Sequence, residues 1–366
     1  MKNEIFSPSE IKTRRSFLKQ MSAGSAGLAL GSFYQQKDSV SGIFSREESR
    51  VSFMTGTDHR ETVYQALKPL EKEVEKAIGD KQVVIKPNVG QVQKEYWLNA
   101  SDAGQLRGIL DFLKPIYDRK IIIAEGTATQ SASTFTGYEN FNYLPLEKEY
   151  NVKFIDLNEE PTTLKCIQAD NLYPLPINII SMYLDTNVYL ISAARMKNSG
   201  GVVVTLSLKN VVMGAPINHY KQKNVTDRNE KQKVHSWRGK WTRKGQTINM
   251  FLISQMGIYP DLAVIDGVVG MEGDGPVQGT PVEHGVAIAS TDFLAADCLG
   301  IELMGYDYNL IKYLVWCGEA KMGEDDLTKI KIIGPDYKKH IIQYNHNKNY
   351  EEQIAWIYED MKNAEK

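Results

Sequence analysis

Apolar and polar positions along this chain alternate between two periods. Short β-rich runs fall at 51–55, 82–87, 120–125, 152–156, 187–192, 262–266, 285–289 and 330–333. Several are unbroken apolar stretches, such as Ile121-Ile122-Ile123-Ala124 and Val188-Tyr189-Leu190-Ile191, the pattern of strands buried on both faces. Helical spacing separates them at 61–78, 102–117, 247–257, 293–304 and 350–363. In the last of these, Ile354, Ile357, Tyr358 and Met361 stand at i, i+3, i+4 and i+7, one apolar face of a helix. Asp292 precedes Leu294, Ala295 and Cys298 and is placed to cap the helix that buries them. Strands alternating with helices predict an α/β fold with a mostly parallel sheet flanked by helices. Residues 49–366 are read as one such region, either a single large domain or two lobes sharing a core. No internal repeat interrupts it.

The first 48 residues follow another pattern. A polar stretch leads into Thr13-Arg14-Arg15-Ser16-Phe17-Leu18-Lys19, and a soft apolar run rich in Gly, Ala and Ser follows from Met21 to Phe33. Paired arginines ahead of Phe-Leu-Lys are the layout of a twin-arginine export signal. The apolar run is shorter than the about 20 residues a membrane helix needs. The expectation is a periplasmic protein that meets the twin-arginine translocase during export and keeps no stable membrane span.

Composition bounds the remainder. With 42% hydrophobic and 24% charged residues and a net charge of −2, the chain reads as globular, and no nucleic-acid partner is expected. The three cysteines, Cys166, Cys298 and Cys317, include no Cys-x-x-Cys pair. They are too few for a four-cysteine iron–sulfur cluster, so none is expected in this chain. An oxidising compartment would allow one disulfide among them. Cys298 sits in an apolar helical pattern and reads as a small buried hydrophobe.

Three strand ends carry candidate chemistry. The run Val83-Val84-Ile85 ends in Lys86-Pro87-Asn88, and open α/β sheets bind ligands at the carboxyl ends of their strands. A second run ends at Arg195-Met196-Lys197-Asn198-Ser199, then Gly200-Gly201, and Thr205 to Asn210 follow with a helix start. Lys197 and the pair Lys209-Asn210 are placed to grip one ligand from two sides. The third strand runs into Asp266-Gly267, and Gly270, Glu272, Gly273, Asp274 and Gly275 follow. Crowded carboxylates hold a hard cation or act as acid and base. The catalytic candidates are therefore Lys86, Lys209, Glu272 and Asp274, and the substrate-binding candidates Asn88, Lys197, Asn210 and His235. Asp266, Glu272 and Asp274 are candidate ligands for a divalent metal. His235 belongs to the segment 219–244, which holds nine Lys or Arg against two acids, with His219, Trp237 and Trp241 interleaved. That segment is either a solvated surface excursion or a lid over an anionic ligand.

The stretches Val83–Asn88, Thr205–Gly214, Pro260–Gly279 and Thr291–Gly305, in this order, resemble the family of unknown function called DUF362. The resemblance extends from about Val83 to Tyr313. Members of that family often carry Lys-Thr-His where this chain has Lys197-Asn198-Ser199, so any role of that histidine is lost or moved here. Some relatives also carry a ferredoxin-like cluster domain, which the cysteine count excludes here. The resemblance implies a fold and a site and names no substrate. The leading expectation is an exported enzyme acting on a small anionic or polar metabolite. The second is a non-catalytic ligand-binding or accessory protein of an exported redox system.

Overall fold

The computed structural model describes residues 48–130, 132–169, 173–221, 229–235 and 243–364. The twin-arginine segment lies outside the described residues, as do Trp237 and Trp241. The strands are β1 Arg50–Thr55, β2 Gln82–Lys86, β3 Ile121–Glu125, β4 Val152–Asp156, β5 Thr162–Gln168 and β6 Pro174–Ile180, followed by β7 Val188–Asn198, β8 Val204–Thr205, β9 Leu262–Glu272, β10 Thr280–Val282, β11 Val286–Ser290 and β12 Lys331–Ile333. The helices are α1 His59–Leu67, α2 Glu71–Ile78, α3 Ala103–Leu113, α4 Thr134–Asn140, α5 Leu146–Glu149 and α6 Ser207–Val212, then α7 Lys231–His235, α8 Arg243–Gln255, α9 Phe293–Leu303, α10 Lys312–Glu319 and α11 Tyr350–Ala364.

The main sheet runs in the order β12-β1-β11-β9-β7-β2-β3-β4, with β10 added to β9 and β8 to β7. From β4 through β3, β2 and β7 to β9 every pairing is parallel; β11 then pairs antiparallel with both β9 and β1. This is the mostly parallel α/β sheet that the alternating pattern predicts. The hairpin β5–β6 stands apart as a second sheet. After β2 the chain builds β3 and β4 on one side and then returns to lay β7 on the other. Strand order thus reverses at the β2–β7 boundary, and the crevice beyond their carboxyl ends is where ligands of such sheets bind.

Side-chain alternation on these strands decides which polar groups share a face. Tyr189, Ile191 and Ala193 of β7 and Leu262 and Val264 of β9 lie in the core with Val63 and Leu67 of α1 and Leu106 and Ile109 of α3. Two residues further along each strand, the same alternation carries Arg195 and Lys197, and Asp266, toward that helix layer. On β2 the core side chains are Val83 and Ile85, so Lys86 points to the opposite layer, where α6 and α9 lie. Residues 48–356 cluster as one compact unit.

Local departures from the expected elements have physical causes. The single helix read over 61–78 is two, α1 and α2, separated by the 3-10 turn Lys68–Leu70. Pro69 lacks the N–H that a continuous helix needs at that point. Asp292 caps α9 as expected, accepting from the N–H of Leu294 and Ala295 at 3.1 and 3.2 Å. The three cysteines are unpaired, with Cys298 and Cys317 buried and Cys166 exposed, so the disulfide does not form. Among the described residues no helix is long and apolar enough to cross a membrane.

Candidate functional site

Neighbouring strand ends supply the first pair. Lys86 closes β2 and Glu125 closes β3, and Lys86 Nζ stands 2.6 Å from Glu125 Oε2 with both side chains buried. Glu125 also accepts from the N–H of Val89 and Gly126, so its carboxylate is held on three sides. Burial pushes Lys86 below the ordinary lysine range, and Glu125 opposes that shift. Gly214 makes room for this lysine: a Cβ there would lie 2.7 Å from Lys86 Cε.

Asn210 and Asn88 extend the pair into a chain. Asn210 Oδ1 accepts from Lys86 Nζ at 2.7 Å and from Asn88 Nδ2 at 2.9 Å. Asn210 Nδ2 donates to the Lys86 carbonyl and to Ser192 Oγ. Asn88 Oδ1 then accepts from Lys197 Nζ at 2.5 Å. Asn88 thereby bridges the two faces across the end of β2, joining Lys86 on one to Lys197 on the other. Lys197 Nζ also donates to the Asn99 carbonyl, and Arg195 Nε donates to the adjacent carbonyl of Ala100. The guanidinium of Arg195 lies under the exposed ring of Trp97, 5.7 Å from its centroid.

Lys209 enters from the first turn of α6. Its Nζ donates to Ser199 Oγ at 2.5 Å and Thr205 Oγ1 at 3.0 Å. The start of α6 is fixed by buried Asp297, which accepts from the N–H of Ser207 and Leu208. Burial, helped by Arg243, pushes the Lys209 ammonium down to about 7. Lys197 is pushed well below the lysine range by burial and by the charges of Lys209, Arg195 and Lys86. Lys231, from the basic segment, is buried against the carbonyls of Gly214 and Pro216 and is pushed by burial down to about 7. His235, one turn on, is half-buried and driven down to about 4 by desolvation and the charge of Lys209. The start of the same segment, His219 to Lys221, lines a cavity of about 220 Å3 with Asn158 and Glu159.

Lys86, Asn88, Lys197 and Asn210, all candidates from the sequence, thus form one hydrogen-bonded chain, and the charge of Lys209 acts on both Lys197 and His235. The acids have other partners. Asp266 is fully buried and its Oδ2 lies 2.6 Å from His59 Nδ1, while its Oδ1 accepts from the N–H of Val268. Glu272 accepts from the backbone N–H of Asn345 at 2.8 Å and also from its side-chain amide. Asp274 accepts from the N–H of Lys348 and pairs with its ammonium at 3.3 Å. Glu272 and Asp274 therefore clasp the 345–348 segment, and among the described residues neither is hydrogen-bonded to Lys86, Lys197 or Lys209. Among the described residues no group of three His, Cys, Asp or Glu side chains is arranged to hold a metal ion. Asp266, Glu272 and Asp274, expected as one grouping, thus each have a different partner: His59, Asn345 and Lys348.

Not among the sequence candidates were Glu125, Arg195, Ser199, Thr205 and His59, the partner of Asp266. Glu125 had a readable signal, because it ends an apolar strand as Lys86 does. His59 had none: its partner lies 207 residues away.

Buried lysines gathered at the switch point of a mostly parallel sheet define the class: an α/β protein with basic side chains at its strand ends. The chain belongs to the DUF362 family, described as a domain of unknown function, whose model matches residues 83–302. Over 174 residues it is 24% identical to a thylakoid-associated protein of Synechocystis sp. (strain ATCC 27184 / PCC 6803 / Kazusa), a match covering 46% of this chain and 47% of that protein. The chain thus spans about half the length of this curated relative. Among solved structures it is similar to the lactate racemase apoprotein from Thermoanaerobacterium thermosaccharolyticum, with TM-score 0.42, 13% identity, and coverage of 70% of this chain and 57% of that one. It is also similar to a protein from Thermotoga maritima, with TM-score 0.37, 11% identity, and coverage of 73% and 60%.

Proposed function

We propose that this protein is an exported enzyme that binds a small anionic metabolite in the crevice at the carboxyl ends of β2 and β7. One observation carries the reading: the imbalance of buried charge. Lys86, Arg195, Lys197, Lys209 and Lys231 are all buried. Lys86 is paired with Glu125, and Arg195 lies 3.8 Å from Asp102. Lys197, Lys209 and Lys231 make no ion pair with a carboxylate among the described residues; their partners are hydroxyl and carbonyl oxygens. An unpaired buried ammonium is costly and either gives up its proton or takes a counter-anion. A carboxylate or phosphate ligand supplies that anion. Lys197 then binds it, Asn88 and Asn210 orient it, and Lys209 is the reactive amine.

Thermal-shift screening of the protein with phosphates and organic acids tests this, because a ligand that binds the native state raises stability by mass action. A stabilising anion whose effect is lost in Lys197→Met supports the reading; equal shifts in both proteins oppose it. Export rests on Arg14-Arg15 ahead of Phe17-Leu18-Lys19. Replacing both arginines by lysine is expected to leave the protein in the cytoplasmic fraction of a bacterial host, and unchanged export would count against the twin-arginine route.

A further inference from the structure

The hydrogen bonding of Lys209 differs from that of its neighbours. Lys86 meets a carboxylate. Lys197 meets two carbonyl oxygens, Asn88 Oδ1 and Asn99 O, and Lys231 meets two more, on Gly214 and Pro216. Lys209 alone of the four meets two hydroxyls, Ser199 Oγ and Thr205 Oγ1. A neutral amine has two N–H donors and one lone pair, whereas an ammonium has three donors. Two oxygen partners suffice for the two N–H groups of the neutral form. A hydroxyl, unlike a carbonyl, also accepts a proton while passing on its own. Lys209 is the most exposed of these four lysines, at 7% against 2% for Lys86, 1% for Lys197 and 5% for Lys231. Its position in the first turn of α6 is fixed by the buried cap Asp297, so the amine is held by packing on a rigid element.

We propose that Lys209 is a nucleophile that forms an imine with a small carbonyl compound carrying an anionic group, of the 2-oxo acid class. This rests on the anion-binding reading, with Lys197, whose ammonium and that of Lys209 feel each other's charge, as the cation that holds the ligand's charge. The Nζ lone pair attacks the carbonyl carbon and a C–N bond forms. The two amine hydrogens pass to the former carbonyl oxygen, for which Ser199 and Thr205 are the adjacent relay groups. That oxygen leaves as water, and a carbon–nitrogen double bond remains. No oxidant or reductant takes part. The downward shift of Lys209 to about 7 supplies free amine at neutral pH, as an imine-forming lysine requires.

The test is reductive trapping on the full chain. The protein is incubated with pyruvate and sodium cyanoborohydride, and the modified lysines are mapped by peptide mass spectrometry. Propionate serves as the matched anion without the carbonyl. Lys209 is expected to carry the reduced adduct more fully than the exposed Lys338 and Lys339, propionate is expected to suppress it, and Lys209→Arg is expected to lose it. Mapping the unaltered chain gives the answer even where the variant fails to fold. A protein that propionate stabilises but whose Lys209 stays unmodified overturns the imine and keeps the anion site. A protein showing neither stabilisation nor adduct overturns both. An adduct on Lys197 or Lys231 in place of Lys209 overturns the assignment of the nucleophile.

Discussion

Lys86 and Glu125 end adjacent parallel strands, and their charged atoms meet at 2.6 Å in a site closed to water. The register of β2 on β3 makes the pair, and the pair in turn fixes Asn210 and the loop after β2 through Val89. Removing one partner strands the other charge in the interior. Glu125→Gln is therefore expected to lower the unfolding free energy by about 3–5 kcal/mol, read from urea denaturation at neutral pH. A loss under about 1 kcal/mol, the scale of an exposed ion pair, would show that the pair does not anchor the crevice.

His59, which opens α1, and Asp266, inside β9, form a second pair, with Asp102 3.8 Å from the other imidazole nitrogen. Burial disfavours the imidazolium, but the hydrogen bond and charge of Asp266, with Asp102, outweigh it and hold His59 above its usual 6.5. A raised folded value means stability that is complete below 6.5 and is lost as pH climbs through the folded value. The NMR titration of His59 should have its midpoint above 6.5, and in Asp266→Asn it should fall below that of the native protein. An unmoved midpoint in the variant would remove Asp266 as the cause.

Lys209 and Lys231 titrate near 7 in the folded protein against 10.5 when unperturbed. The native state thus binds fewer protons than the unfolded chain between those values, and stability is expected to rise with pH across that window. Anion binding runs the other way, since it favours the charged lysines. Sulfate should raise the melting temperature more at about one pH unit below 7 than at one unit above it. Equal shifts would mean that these lysines do not face the anion.

Glu272 and Asp274 read as catalytic acids in the sequence, yet both hold the 345–348 segment. Glu272→Ala is expected to leave the sulfate response intact while loosening that segment, detectable as faster amide exchange at Asn345. Loss of the sulfate response with unchanged exchange at Asn345 would return Glu272 to the ligand.

Much of this site is written in local pattern, and part of it is not. Lys86, Asn88, Lys197 and Asn210 were legible because each follows an apolar strand or opens a helix, and the parallel sheet brings such positions to one edge. Strands β7 and β9 run past their apolar stretches, to Asn198 and Glu272. Charges at Arg195, Lys197 and Asp266 read as strand ends until their buried partners are known. The hairpin β5–β6 escaped notice because Pro174 and Pro176 break the apolar alternation of β6, which an edge strand tolerates. The crowding of Gly273 and Gly275 around Asp274 suggested a metal loop. Part of the reason for glycine here is close packing: a Cβ on Gly275 would lie 2.4 Å from the Asn198 carbonyl.

The central claim is that the lysines at the ends of β2 and β7, with Lys209 beside them, take an anion. Co-crystallisation with selenate, located by the anomalous scattering of selenium, asks this directly. The account predicts a selenate within hydrogen-bonding distance of Lys197 Nζ or Lys209 Nζ, absent in Lys197→Met. Selenate found only on the protein surface, with the lysine cluster left as it is in the free protein, would contradict it.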